Sequence, residues 1–165
     1  MSQALKINSS SEPYSDLPQI CTRLLEAKAQ KGQCLSFEAI GKAIDHDEVW
    51  VAALFYGQAK ATPEELAKLG ELLDIPANNL QAELGEHWFP RRGLGPVPPQ
   101  DPLIYRLFEG VLVYGTPIKA LIHEKFGDGI MSMIDCKVSV DRKENPKGDR
   151  VVLTFDGKFL PYLKW

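Results

Sequence analysis

The chain has 165 residues, 44% hydrophobic and 25% charged, and its formal net charge is −3. This composition is typical of an ordinary soluble protein that can form one or two small cores. The sequence has no long apolar run, and residues 1–18 lack the basic start and hydrophobic stretch of a secretory signal. We therefore expect a cytoplasmic protein without a membrane partner.

Cysteines and histidines are scattered along the sequence rather than grouped. No two cysteines form a CxxC pair, and no group of these residues has the spacing of zinc ligands. We expect reduced thiols and no protein-bound metal. The residues concerned are Cys21, Cys34, Cys136, His46, His87 and His123.

Charge is divided unevenly between the two parts of the chain. Residues 1–100 hold 9 basic and 13 acidic side chains, whereas residues 101–165 hold 10 and 9. The acidic first part disfavours binding to polyanions, and the slightly basic second part weakly favours small anions.

After a polar tail, residues 1–16, the sequence predicts a helical domain over residues 17–87. Apolar residues recur there at helical spacing, and capping residues precede several of the repeats. We predict five helices: Leu17–Gln30; Ser36–Ala43, capped by Ser36; a third capped by Asp45 or Asp47 and closed by Gly57; a fourth capped by Thr62; and a short fifth that starts at Pro76.

The second and third of these helices, within residues 36–56, resemble the helix-turn-helix of repressor-type DNA-binding domains. In such domains the start of the recognition helix carries donors that contact phosphates and base edges. Here that position holds Asp45, Asp47 and Glu48. Because these carboxylates repel phosphate, we expect no nucleic-acid partner and assign the motif to packing or subunit contact.

Residues 88–100 are rich in proline and glycine, which is typical of an interdomain linker. A second domain is therefore predicted over residues 101–165. Its first helix should be capped by Asp101 and end near Tyr114, with Gly115 in the left-handed conformation. This helix is apolar nearly all round, so it should be buried on every side.

A second cap-then-proline signal, Thr116-Pro117, predicts a separate short helix ending near Gly127. Two strands joined as a hairpin should follow. A domain of this size cannot bury the apolar helix and the exposed edges of the hairpin by itself, so we expect an oligomer. The predicted β elements are strands Lys137–Arg142 and Arg150–Phe155, a hairpin loop over Asn145–Gly148, and a last short strand after a turn at Asp156-Gly157.

Two opposite charges, Arg106 and Glu109, interrupt the apolar helix. A buried charge without a partner is costly, so each needs the other, a neighbouring chain or a bound ion. Their spacing permits an ion pair within the helix. Farther along, Ser132 stands among large apolar residues, where its hydroxyl either bonds the main chain or donates in a dry pocket.

At these residues the sequence resembles the cyanase (cyanate hydratase, cyanate lyase) family. The similar segments are DPLIYRLFEGVLVYGTPIKALIHEKFGDGIMSMI and the terminal DGKFLPY. The resemblance implies a catalytic set of Arg106, Glu109 and Ser132, with Ile130 and Leu160 lining the pocket. The elements predicted above, taken together, give a mainly α N-terminal helical bundle with a repressor-like helix-turn-helix and a small α+β C-terminal domain. The assembly that the resemblance implies is an intertwined homodecamer of five dimers with active sites between subunits.

The reaction implied is the bicarbonate-dependent decomposition of cyanate to ammonia and carbon dioxide via carbamate, which serves cyanate detoxification and nitrogen supply. Bicarbonate is then a co-substrate, and no cofactor is required. Glu109 has two possible roles: it orients an arginine, which we prefer, or it acts as a protonated donor. No GxSxG motif surrounds Ser132, so a covalent serine mechanism is disfavoured. A catalytically inactive oligomer with the same fold is the remaining alternative.

Overall fold

The computed structural model describes residues 17–32, 35–90, 92–93 and 95–165. The predicted tail over residues 1–16 and Cys34 lie outside the described residues. The chain forms two compact units that divide between Arg92 and Gly93, and together the elements make an α+β protein. The first unit contains α1 (Gln19–Gln30), α2 (Phe37–Ile44), α3 (Glu48–Phe55), α4 (Pro63–Leu73) and α5 (Ala77–Leu84); the second contains α6 (Pro102–Phe126), β1 (Gly129–Lys143) and β2 (Arg150–Pro161).

The first unit is built around a single apolar core to which all five of its helices contribute. The apolar residues of each helix recur every three or four positions, so they fall on one face and meet at the centre of the unit. Their burial supplies the main stabilisation of this unit. Fully buried side chains include Cys21, Leu24, Ile40, Val51, Leu54, Phe55, Leu66, Leu69, Leu80 and Leu84.

Local capping determines where three of these helices begin. The N–H of Ala39 donates to Ser36 Oγ at 3.0 Å, as predicted. Of the two candidates for the cap of α3, Asp47 is the one that caps, since its Oδ1 accepts from the N–H of Val49 at 3.1 Å. Asp45 instead ends α2 in the left-handed conformation, with φ 62°.

The start of α4 is a complete capping box. The N–H of Glu65 donates to Thr62 Oγ1 at 3.3 Å, and the N–H of Thr62 donates to Glu65 Oε2 at 2.7 Å. Replacing Thr62 with alanine removes one of these bonds, so we expect the free energy of unfolding to fall by about 1 kcal/mol. Urea denaturation followed by circular dichroism measures this loss. Lys68→Ala, at an exposed position within the same helix, is the control and should change stability much less.

In the second unit, α6 is one continuous helix of 25 residues, and the predicted break at Gly115 is wrong. Gly115 does not have a positive φ, and Pro117 lies inside the helix. A proline at this position has no N–H to donate to the carbonyl of Val113, and its ring crowds that carbonyl, so the helix continues at a local cost. The helix ends at Gly127, whose φ is 86°.

An apolar stripe runs along α6 through the proline, with residues spaced three or four apart on one face. No residue of α6 is buried in the single chain. Within the described residues, no helix is long and apolar enough to cross a bilayer. The exposed stripe consists of Leu107, Val111, Tyr114, Ile118 and Leu121.

The two strands pair antiparallel and are longer than predicted. β1 begins at Gly129 rather than at Lys137, and the turn expected at Asp156-Gly157 is absent because Gly157 pairs with Cys136 inside β2. The hairpin loop lies where it was predicted: the N–H of Gly148 donates to the carbonyl of Asn145 at 2.9 Å.

A large bulge interrupts the ladder near its open end. Met131 pairs with Phe159 and Cys136 pairs with Gly157, so the four residues of β1 between them, 132–135, lie opposite the single residue Lys158. A bulge of this kind bends the strand and redirects its side chains. It therefore determines the direction in which Ser132 points.

Candidate active site

Arg106 and Glu109 form an ion pair one turn apart on α6. Arg106 Nη1 donates to Glu109 Oε2 at 2.8 Å, so the interaction within the helix that the spacing permitted is present. This bond and the nearby negative charge raise the pKa of Arg106 above its ordinary value. The Arg106 side chain is 73% exposed in the single chain. Its remaining N–H donors are thus accessible to an anion or to another subunit.

A shallow depression of about 410 Å³ lies beside Arg106. The Tyr105 ring forms part of it, with its centroid 6.0 Å from Arg106 Cζ. Arg106 contributes a positive charge to this depression. The other lining residues are Pro98, Pro99, Gln100 and Pro102.

Ser132 is held inside the bulge by two main-chain bonds. The N–H of Ile134 donates to Ser132 Oγ at 3.1 Å, and the N–H of Asp135 donates at 2.9 Å. Ser132 is only 7% exposed. Of the two possibilities for this hydroxyl, bonding to the main chain is therefore the one observed. Because Oγ acts as the acceptor in both bonds, its own hydrogen remains available to donate.

The three predicted catalytic residues do not meet within one chain. Among the described residues, no hydrogen bond or ion pair joins Ser132 to Arg106 or Glu109. Ile130 and Leu160 pair directly across the two strands, and neither is buried. The arrangement in a single chain is thus a charged pair on the helix and a hydroxyl in the bulge.

Two residues near the bulge were not singled out from the sequence. Lys158 Nζ lies 3.9 Å from Asp135 Oδ2, which places a positive charge opposite the bulge. The available signal was the run Ile130–Ile134, whose apolar residues do not alternate with polar ones as those of a regular strand do.

Within the described part of the chain, no three metal-binding side chains group together.

Comparison with known proteins gives concordant matches. Residues 96–164 match the family model described as Cyanate lyase C-terminal domain. The chain is 72% identical to a cyanate hydratase of Coprinopsis cinerea over 87% of this chain and 94% of that protein. It is 53% identical to a cyanate hydratase of Prochlorococcus marinus over 90% of this chain and 99% of that protein. A crystal structure of cyanase from T. urticae superposes with a TM-score of 0.75 at 36% identity, covering 87% of this chain and 97% of that one.

Proposed function

The chain belongs to the cyanate lyase family, and we propose that it decomposes cyanate with bicarbonate to ammonia and carbon dioxide. The observation that carries this proposal is the 72% identity to a cyanate hydratase over 94% of that protein's length. Bicarbonate attacks the cyanate carbon; with uptake of a proton, the adduct breaks down to carbamate and carbon dioxide. Carbamate then takes up a proton and releases ammonia and further carbon dioxide.

The electrostatics of this reaction require fixed positive charge. Both reactants are anions, and two unit charges 4 Å apart repel by about 1 kcal/mol in water and about 4 kcal/mol at an effective dielectric of 20. Arg106 supplies a planar guanidinium whose paired donors suit a bicarbonate oxyanion. Its exposed donors support this role.

Ser132 is proposed to donate its hydroxyl hydrogen to the negative charge that develops as the two anions combine. Its Oγ is anchored by two main-chain N–H groups, which leaves the hydroxyl hydrogen for the substrate. No covalent intermediate is required, because holding the two reactants together with their charges neutralised accelerates the addition. Ile130 and Leu160 are proposed to form apolar walls of the same pocket. The reaction then needs neither a metal nor an organic cofactor.

Glu109 is proposed to orient Arg106 through their 2.8 Å ion pair. If so, Glu109→Gln should retain more activity than Glu109→Ala, because the amide oxygen still accepts from the guanidinium. We expect losses of about tenfold for glutamine and about a hundredfold for alanine in kcat/KM. Steady-state kinetics of the two variants measures the difference. Equal inactivation by both substitutions would contradict the orienting role, because glutamine would then gain nothing from its acceptor oxygen.

The active site is proposed to form between subunits of a homodecamer built from five intertwined dimers. The exposed apolar stripe of α6 supports this assembly, since a surface of that length in water favours association. Association would also supply what a single chain lacks, namely contact between the Arg106–Glu109 pair and Ser132. Cyanate and bicarbonate are the proposed small-molecule partners in the cytoplasm, where the reaction would remove cyanate and supply nitrogen.

A DNA-binding function has little support from the first unit. Asp47 caps α3 and Glu48 begins it, so carboxylates occupy the end of the helix that would approach phosphate. Nearby, the His46 ring stacks on Trp50 at 3.8 Å and its Nε2 lies 2.6 Å from Glu65 Oε1. These side chains are thus engaged within their own unit.

Ammonia release from cyanate tests the proposed function directly. The purified protein is mixed with cyanate in buffer freed of carbon dioxide, with and without added bicarbonate, and ammonia is measured over time. We expect ammonia release only when bicarbonate is present. Release that is independent of bicarbonate would contradict the mechanism, since direct hydrolysis consumes only water. No release from an assembled protein would favour an inactive oligomer.

A further inference from the structure

Gly157 lies on β2 opposite the end of the bulge, where it pairs with Cys136. A Cβ at this position would lie 2.6 Å from the Ser132 carbonyl oxygen, 2.6 Å from Met131 Cγ and 3.1 Å from Met131 Sδ. All three distances are shorter than ordinary van der Waals contacts between such atoms. Any residue larger than glycine at 157 must therefore displace part of the bulge.

The requirement for glycine here is one of space and not of backbone conformation. Gly157 does not have a positive φ, so an L-residue could adopt its backbone angles without strain. A methionine side chain can rotate away from a new methyl group. The Ser132 carbonyl belongs to the main chain, so it can move only if the Ser132 peptide moves with it.

Movement of that peptide acts directly on the serine hydroxyl. Ser132 Oγ is held by the N–H groups of Ile134 and Asp135 at 3.1 Å and 2.9 Å, and hydrogen bonds weaken steeply once their geometry is lost. We infer that Gly157 is a positioning residue for cyanate decomposition, which keeps the Ser132 hydroxyl in place by leaving room for the Ser132 carbonyl. The catalytic part of this inference rests on the proposed function, whereas the structural part rests only on the contacts between β1 and β2.

Hydrogen exchange of the assembled full-length protein tests the structural step without any measurement of activity. In Gly157→Ala, the bonds from the amides of Ile134 and Asp135 to the displaced Ser132 Oγ should weaken, so the exchange of these amides should accelerate about fivefold or more. Gly148→Ala is the matched control. It strains the hairpin loop, where φ is +109°, yet its Cβ meets no atom within 4 Å. In this control the two amides should exchange at the wild-type rate.

A double-mutant cycle tests the catalytic step. Gly157→Ala should lower kcat by between about tenfold and a hundredfold, as expected when a reacting group is misplaced. In a Ser132→Ala background the same change should alter kcat by less than about twofold, because the hydroxyl it displaces is already gone. Gly148→Ala should keep wild-type turnover. An equal loss in both backgrounds would assign Gly157 a general structural role and overturn the inference.

The outcomes separate this inference from the proposed function. A wild-type protein without cyanate turnover would refute the proposed function, while the exchange comparison would still decide whether Gly157 holds Ser132. Unchanged exchange in Gly157→Ala would refute the inference even if the enzyme is active. If Gly157→Ala does not assemble, Met131→Ala is compared with Met131→Ala/Gly157→Ala instead. Without the methionine side chain, the new Cβ at position 157 contacts only the Ser132 carbonyl oxygen. A double variant that fails to fold while Met131→Ala folds would overturn the inference by assigning Gly157 to folding.

Discussion

Replacing Arg106 with lysine is expected to lower cyanate turnover by about 10²–10³-fold, although the positive charge is retained. Lysine presents a single ammonium group and cannot form the paired, coplanar hydrogen bonds that a guanidinium makes to an oxyanion. It also loses the geometry of the 2.8 Å bond between Arg106 and Glu109. The loss should appear in kcat/KM for bicarbonate at constant ionic strength.

Arg142→Lys is a suitable control for this measurement. Arg142 lies in the same unit, where its Nε donates to Asp149 Oδ2 at 2.6 Å in the hairpin, away from the predicted site residues. The same chemical change at this position should leave turnover within about twofold of wild type, as is usual for exposed ion pairs. Near-normal turnover of Arg106→Lys would contradict a bidentate role for Arg106 and leave only a role for its charge.

An aspartate in place of Ile118 is expected to dissociate the oligomer and to abolish activity with it. Ile118 lies near the centre of the apolar stripe of α6 and is 49% exposed in the single chain. If the stripe is a subunit contact, the new carboxylate must lose its water when the subunits meet. That desolvation costs several kcal/mol, enough to weaken association by about a hundredfold or more. Sedimentation velocity at several protein concentrations measures the effect.

Lys119→Asp tests whether position or charge is responsible. It introduces the same side chain one residue away, on a different face of α6, so it should change association far less. Circular dichroism of both variants checks that the helices remain folded. An Ile118→Asp protein that sediments as the wild type does would contradict the assignment of the stripe to a subunit contact.

Features that depend on neighbours in sequence could be predicted well. The caps at Ser36 and Thr62 and the hairpin loop at Asn145–Gly148 are confirmed, because each depends on bonds between residues a few positions apart. The Arg106–Glu109 pair belongs to the same class, since residues three apart on a helix are always neighbours.

Predictions of where a helix or strand is interrupted were less successful. Gly115 and Pro117 carry the signals of a helix end and a helix start, yet α6 passes through both. Asp156-Gly157 has the composition of a turn, yet it lies within β2. In each case the competing contribution is a continuous apolar face or a ladder of cross-strand bonds, which local propensity does not include.

The sequence by itself determined which residues are charged, which residues cap the helices, and the family to which the chain belongs. It also predicted that the apolar surface of α6 is buried against another subunit. Only the tertiary structure decided that four residues of β1 bulge opposite one residue of β2, that Ser132 is anchored there, and that Gly157 leaves the space for it. The physical reason is sequence distance. Helical and capping bonds join residues at most four apart, whereas Ser132 and Gly157 meet through a strand register set by all the pairs of the hairpin together.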